Sequence, residues 1–187
     1  MEIIIPGTVL QIPKEEVSQI EERLRAMFLA GGISLGQVSG ITGLEAHMVQ
    51  NWVKRGFLPP PEKKRYSLRQ LCRIMNINML RAALPLEEIC GLLGYVNGRL
   101  NDESDDLIDD SQLYFLFVKL AAGQRYMTQS QEREQLIHAS LADYREPVPG
   151  ARERVEKVLD VMLTAWAAAR LRQTAERLLQ NMKDENQ

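Results

Sequence analysis

The chain has 187 residues, 45% of them hydrophobic and 26% charged, with a formal net charge of −2, which allows one or two globular domains with a proper core. Its longest apolar run, Leu113 to Val118, is far shorter than the ~20 residues that span a bilayer. No secretion signal is recognisable, and no membrane partner is expected. Cys72 and Cys90 stand apart without a CxxC, which excludes a disulfide framework and zinc-site spacing; a reduced cytoplasm is the expected setting, with no metal or cofactor.

In chain order, residues 1–32 read as a leading arm and helix. Ile3-Ile4-Ile5-Pro6-Gly7 suits a short extended arm that could pair with the basic loop further on. Pro13 suits the first position of a helix, with an apolar stripe of Val17, Ile20, Leu24, Met27 and Phe28 that ends at Gly31-Gly32.

Next come two short helices. Ser34 and Gln37 have the spacing of a capping box, Val38 and Ile41 supply an apolar face, and Thr42-Gly43 breaks the helix. The second helix, from Glu45 to Arg55, buries Val49, Trp52 and Val53 at i, i+3, i+4 spacing. His47, Gln50, Asn51 and Lys54 then share the other face. Two short helices joined by a turn containing glycine form the helix-turn-helix pattern. Gly56 stops the second helix, and a proline run leads into Glu62-Lys63-Lys64-Arg65-Tyr66. Lys54, Arg55, Lys63, Lys64, Arg65, Arg69 and Arg73 face a single acid, Glu62. A local basic block of this kind is a nucleic-acid footprint that a near-neutral total conceals.

Ser67 and Gln70 form a second capping box, opening a helix that reaches about Ala83. Pro85 with Glu87 and Glu88 opens another, which buries Leu86, Ile89, Leu92 and Leu93 and stops at Gly94. Residues 97–110 read as an acidic joint: from Asp102 to Asp110, Asp102, Glu103, Asp105, Asp106, Asp109 and Asp110 occur without a base. A calcium loop would need a Gly at its sixth position, so a solvated linker is expected. Residues 111–187 read as a helical bundle. One helix from Ser111 is apolar nearly all round and therefore buried; a second runs from Thr128 to about Ala142. After Pro147-Val148-Pro149-Gly150 the last helix runs from Ala151 to Met182, carrying Val155, Val158, Leu159, Met162, Trp166 and Ala169. Such a long helix needs a partner from its own bundle or from a second chain. Tyr114, Phe115, Phe117 and Trp166 are expected in a packed core rather than a ligand pocket, and a small-molecule effector has no support.

Gly36-Gln37-Val38, Thr42-Gly43-Leu44, Trp52-Val53-Lys54-Arg55-Gly56-Phe57-Leu58-Pro59-Pro60, Arg65-Tyr66-Ser67 and the helix Leu86 to Leu93 together resemble the winged helix-turn-helix head of MerR-type transcription regulators. VQNWVKRG, KRYSLRQL, NINMLR and DESDDLID more closely resemble an uncharacterised bacterial family built on that head. The resemblance implies an all-α, mainly helical fold: a winged head over 33–96, with room for a small β wing, followed by a helical bundle that dimerises. It departs where Gln50-Asn51 replaces the usual Arg-Tyr pair, in a short wing, and in the acidic joint that follows the fourth helix.

The expected function is a non-enzymatic, sequence-specific DNA-binding regulator. The alternative is a protein–protein adaptor whose head no longer binds DNA. The second helix would enter the major groove. Each amide of Gln50 and Asn51 can both donate and accept at adenine's groove edge. Lys63, Lys64, Arg65 and the amino end of the first helix at Ser34 would hold phosphates. The full candidate set is Ser34, His47, Gln50, Asn51, Lys54, Arg55, Lys63, Lys64, Arg65 and Tyr66. Double-stranded DNA and a second copy, joined through the C-terminal helices, are the expected partners. His47 and His138 are isolated, and no Ser-His-Asp set, P-loop or dinucleotide motif occurs.

Overall fold

The computed structural model describes residues 2–100, 102–123 and 130–184. Among these the chain is mainly helical. A small hairpin, β1 (Glu2–Ile4) and β2 (Gln11–Pro13), is followed by α1 (Ile20–Ala26), α2 (Leu35–Thr42), α3 (Ala46–Lys54), α4 (Leu68–Leu80), α5 (Leu86–Asn97), α6 (Asp110–Gly123), α7 (Ser130–Ser140) and α8 (Ala151–Asp184). The expected start of α7 at Thr128 lies outside the described residues. No described helix is long and apolar enough to cross a membrane.

α4 is the hub. Its stretch from Leu71 to Ile77 is buried on every side, packed among α2, α5, α6 and α8. Its start is set by the second capping box: Ser67 Oγ accepts from the Gln70 amide at 3.2 Å, and Gln70 Oε1 from the Ser67 amide at 2.8 Å. A cap of this kind contributes about 1 kcal/mol. α6 is buried over most of its surface, as an all-round apolar helix must be. Tyr114, Phe115 and Phe117 lie in the core, with Phe117 edge-on to Trp166 at 6.2 Å. One hydrophobic cluster extends from Ile5 in the arm to Ala165 in α8, so the two helical halves share a core.

The arm differs from expectation. It pairs with itself, Ile3 opposite Ile12, and not with the basic loop. Its hairpin loop wedges between α2 and α4: the Val9 amide donates to Ile41 O, Asn78 Nδ2 to Gly7 O, and the Tyr114 hydroxyl to Pro6 O. Gly7 has φ +74°, and a Cβ there would sit 2.2 Å from the Met75 carbonyl oxygen. Pro13 closes β2 rather than opening a helix. A 3-10 turn over Lys14–Gln19 intervenes before α1, and its i, i+3 eclipse lets Val17 and Ile20 both enter the core.

The acidic joint is the larger correction. It is a packed strap, not a solvated linker. Leu107 and Ile108 are buried, and Asp110 is 2% exposed. Arg69 on α4 reaches Asp106 at 2.6 Å and Glu103 at 3.2 Å, while Arg73 Nη1 meets Asp110 at 3.3 Å. The Leu107 amide donates to Val96 O at 2.7 Å, and Asn97 Nδ2 donates to Ile108 O. Glu103, Asp106, Asp109 and Asp110 find their countercharge in two arginines one helical turn apart, far upstream in the chain.

Candidate nucleic-acid interface

The α2–α3 unit is built locally. At α2, Ser34 Oγ accepts from the Gln37 amide at 3.3 Å and Gln37 Oε1 accepts from the Ser34 amide at 2.9 Å, so the expected capping box is present. The helix ends on Gly43 at φ +70°, a left-handed cap that glycine adopts without strain. Thr42 Oγ1 donates to Val38 O and accepts from the Leu44 amide, and Leu44 is buried, which pins the turn. α3 then buries Val49 and Trp52. His47, Gln50, Asn51 and Lys54 all lie exposed on its other side, as the spacing predicted.

The segment after α3 is held by α4. Gln70 Nε2 donates to the carbonyls of Pro59 and Pro60 at 3.0 Å each, and Arg73 Nε to Phe57 O at 3.0 Å. The basic turn follows. Glu62 and Arg65 form a single bridge, closed by the Arg65 amide on Glu62 O at 2.8 Å. Lys63 and Lys64 at its tip have φ +47° and +63°. Two consecutive positive φ values inside an i→i+3 bond make a type I′ turn, which ordinarily carries Asn-Gly. The wing is therefore a bridged turn rather than a pair of strands. Its base is tied to the residues before α2: Ile33 and Tyr66 exchange backbone bonds at 2.9 and 2.8 Å, and Arg65 Nη1 donates to Gly32 O at 3.0 Å. The tie sets the lysine turn beside the amino end of α2 at Ser34.

The ten candidates therefore separate. Gln50, Asn51, His47, Lys54, Lys63 and Lys64 are exposed; among the described residues, none of the three lysines pairs with an acid. Ser34 spends its side chain on the cap, leaving the first amides of α2 as its contribution. Arg65 is exposed but anchored. Arg55 is engaged elsewhere, ion-paired with Glu87 and stacked 4.5 Å from the Phe57 ring centroid; the pairing also holds the Glu87 carboxyl below its usual range, after the larger effect of its own backbone amide. Tyr66 is corrected outright. At 3% exposure its ring belongs to the core, and burial pushes its phenol up.

The basic block is likewise smaller than its residue count. Arg69 and Arg73 face the strap, not solvent, and their surroundings are electrostatically uneven. Around Arg69 lie Glu103, Asp106, Asp109 and Asp110, all within 3.7 Å. Burial lifts Asp106 to about 6 against the pull of Arg69, and lifts Asp110 against Arg73 and Arg69. Asp106 Oδ1 is buried without a hydrogen-bond partner among the described residues. Sequence reasoning missed this clasp. Its available signals were the Leu107-Ile108 pair inside the acidic run and the i, i+4 arginines of α4.

No solved structure matches this chain. A stretch of 86 residues is 29% identical to the uncharacterized protein YkrK of Bacillus subtilis (strain 168), covering 44% of this chain and 37% of that protein. The family described as "Domain of unknown function (DUF1836)" matches residues 18–117, a single unit that takes in α1 to α5, the strap and most of α6. With more than half of its length matched in this way, the chain belongs to the DUF1836 family.

Proposed function

We propose that α2, α3 and the lysine turn form the DNA-reading head of a cytoplasmic, non-enzymatic transcription regulator of MerR-like type. The observation that carries this reading is the turn. Lys63 and Lys64 occupy left-handed backbone, which costs a residue with a Cβ roughly 1–2 kcal/mol, where Asn-Gly would sit with little strain. Strain kept at an exposed, unpaired, doubly charged tip points to use of that charge. The tip lies beside the amino end of α2, whose free amides and positive dipole suit a phosphate. α3 supplies the reading surface: its exposed Gln50 and Asn51 amides match adenine, and His47 and Lys54 flank them.

Salt tests the reading. Each phosphate contact contributes a log–log slope of about −0.9 to the fall of DNA affinity with salt. Lys63→Ala with Lys64→Ala should flatten the slope by about 1.8 units at unchanged fold. An adaptor whose head has lost DNA binding would retain no duplex at low salt, and that result ends the regulator reading.

A further inference from the structure

Arg73 takes part in two contacts at once. Its Nε donates to the Phe57 carbonyl at 3.0 Å, and its Nη1 meets both carboxylate oxygens of Asp110 at 3.3 Å. Phe57 closes the carboxyl end of α3. The helix finishes in a Schellman motif, with Gly56 at φ +74°, the Gly56 amide on Val53 O at 3.1 Å and the Phe57 amide on Trp52 O at 2.9 Å. The Phe57 ring is held as well, by the Arg55 guanidinium that pairs with Glu87 on α5. Gln50, Asn51 and Lys54 lie within about two turns of this anchor. At the other end of the relay, Asp110 stands where the strap passes into α6.

We propose that Asp110, acting through Arg73, positions the carboxyl end of α3, so that the seating of the strap on α4 sets what the helix presents to DNA. The effect on DNA rests on α3 being the reading helix; the positional tie does not. Two observations favour this role over plain stability. A buried arginine–carboxylate pair adds little over apolar side chains of similar volume, because both charges lose their water. Arg73 and Asp110 have side chains only 6% and 2% exposed, so they bear that cost. Apolar side chains in their place would leave the Phe57 carbonyl without its donor. Secondly, the strap has a clasp without Arg73, since Arg69 takes Glu103 and Asp106. Among the described residues, Arg73 is the one of these two arginines that also reaches the segment after α3. Drawing the start of α6 away from α4 removes the carboxylate that fixes this guanidinium, and the last turn of α3 then opens more often.

Amide hydrogen exchange of the full chain tests the tie without DNA. In Arg73→Met with Asp110→Leu, which sets an apolar pair between α4 and α6, the Gly56 and Phe57 amides should exchange about fivefold to tenfold faster, the worth of one net hydrogen bond. Asp110→Asn should move the same two amides in the same direction with Arg73 in place. Leu141→Ala, which truncates a buried side chain just after α7, loosens the fold elsewhere and should leave them as they are. Duplex affinity, read by anisotropy, should fall by a similar factor in the double variant, at the parent's salt slope because the lysine turn is intact. Unchanged exchange at Gly56 and Phe57 in the double variant refutes the tie, and unchanged exchange in Asp110→Asn shows Arg73 acting without the acid and overturns the relay. Equal acceleration in Leu141→Ala makes the effect a general loosening and overturns it too. Faster exchange at unchanged duplex affinity refutes control of reading by the strap. A parent that binds no duplex ends the regulator reading instead, and exchange alone then decides the tie.

Discussion

Replacing Lys63 with Asn and Lys64 with Gly should make the protein more stable and a worse DNA binder. The two lysines sit at φ +47° and +63°, a region that costs a residue with a Cβ about 1–2 kcal/mol. Asn tolerates it and Gly adopts it without strain, although Gly surrenders some of the gain as unfolded-state entropy. The net gain for the pair is about 1–2 kcal/mol, or about 2–8 °C in Tm for a chain of this size. The backbone turn is preserved, so the base of the wing at Ile33 and Tyr66 stays in place. Binding should move the other way, losing two phosphate contacts and about 1.8 units of salt slope. Urea denaturation and fluorescence anisotropy with a labelled duplex, on the same preparation, read both effects. A variant that is no more stable refutes the strained turn. A variant that binds duplex as well as the parent refutes the use made of the lysines.

Three further outcomes follow from the packing. Arg73→Ala should cost about 3–5 kcal/mol in urea unfolding, because it leaves the buried Asp110 with only the more distant Arg69 at 3.7 Å and the Phe57 carbonyl without its donor, whereas Arg73→Met with Asp110→Leu should recover at least half of that. Asp106 titrates near 6 when folded and near 3.8 when unfolded; the folded state therefore binds the extra proton between those values. Its contribution to stability is fullest at low pH and is lost as pH rises through about 6. Asp106→Asn should shrink the difference in urea midpoint between pH 5 and pH 7.5. Gly7→Ala meets both a positive φ and the Met75 carbonyl, and should destabilise by about 2–4 kcal/mol, read as a fall in the urea midpoint.

Local signals were legible in the sequence wherever the chain interacts with itself over three or four residues. Both capping boxes, the buried Val49 and Trp52 of α3, and the all-round apolar α6 follow from spacing alone. Features that depend on distant partners were not legible. Tyr66 reads as part of a basic loop until its bridge to Ile33 is known. Asp106 and Asp110 read as solvated until Arg69 and Arg73 are placed beside them. The arm's hairpin was hidden because Gly7 and Pro6 signal a turn without saying what it wedges against. In the candidate site, α3's exposed face follows residue by residue from spacing, whereas Arg55 and Tyr66, the two residues engaged elsewhere, have partners 32 and 33 residues away in the chain.

The central claim is that α3 reads base edges. Genomic fragments selected on the purified protein at low salt, then footprinted with the parent and with Gln50→Ala and Asn51→Ala, test it most directly. The account predicts a discrete protected sequence whose preference relaxes at particular base pairs in each variant, each worth about 1–3 kcal/mol of discrimination. Selection that retains no duplex, or a footprint indifferent to both substitutions, would contradict it.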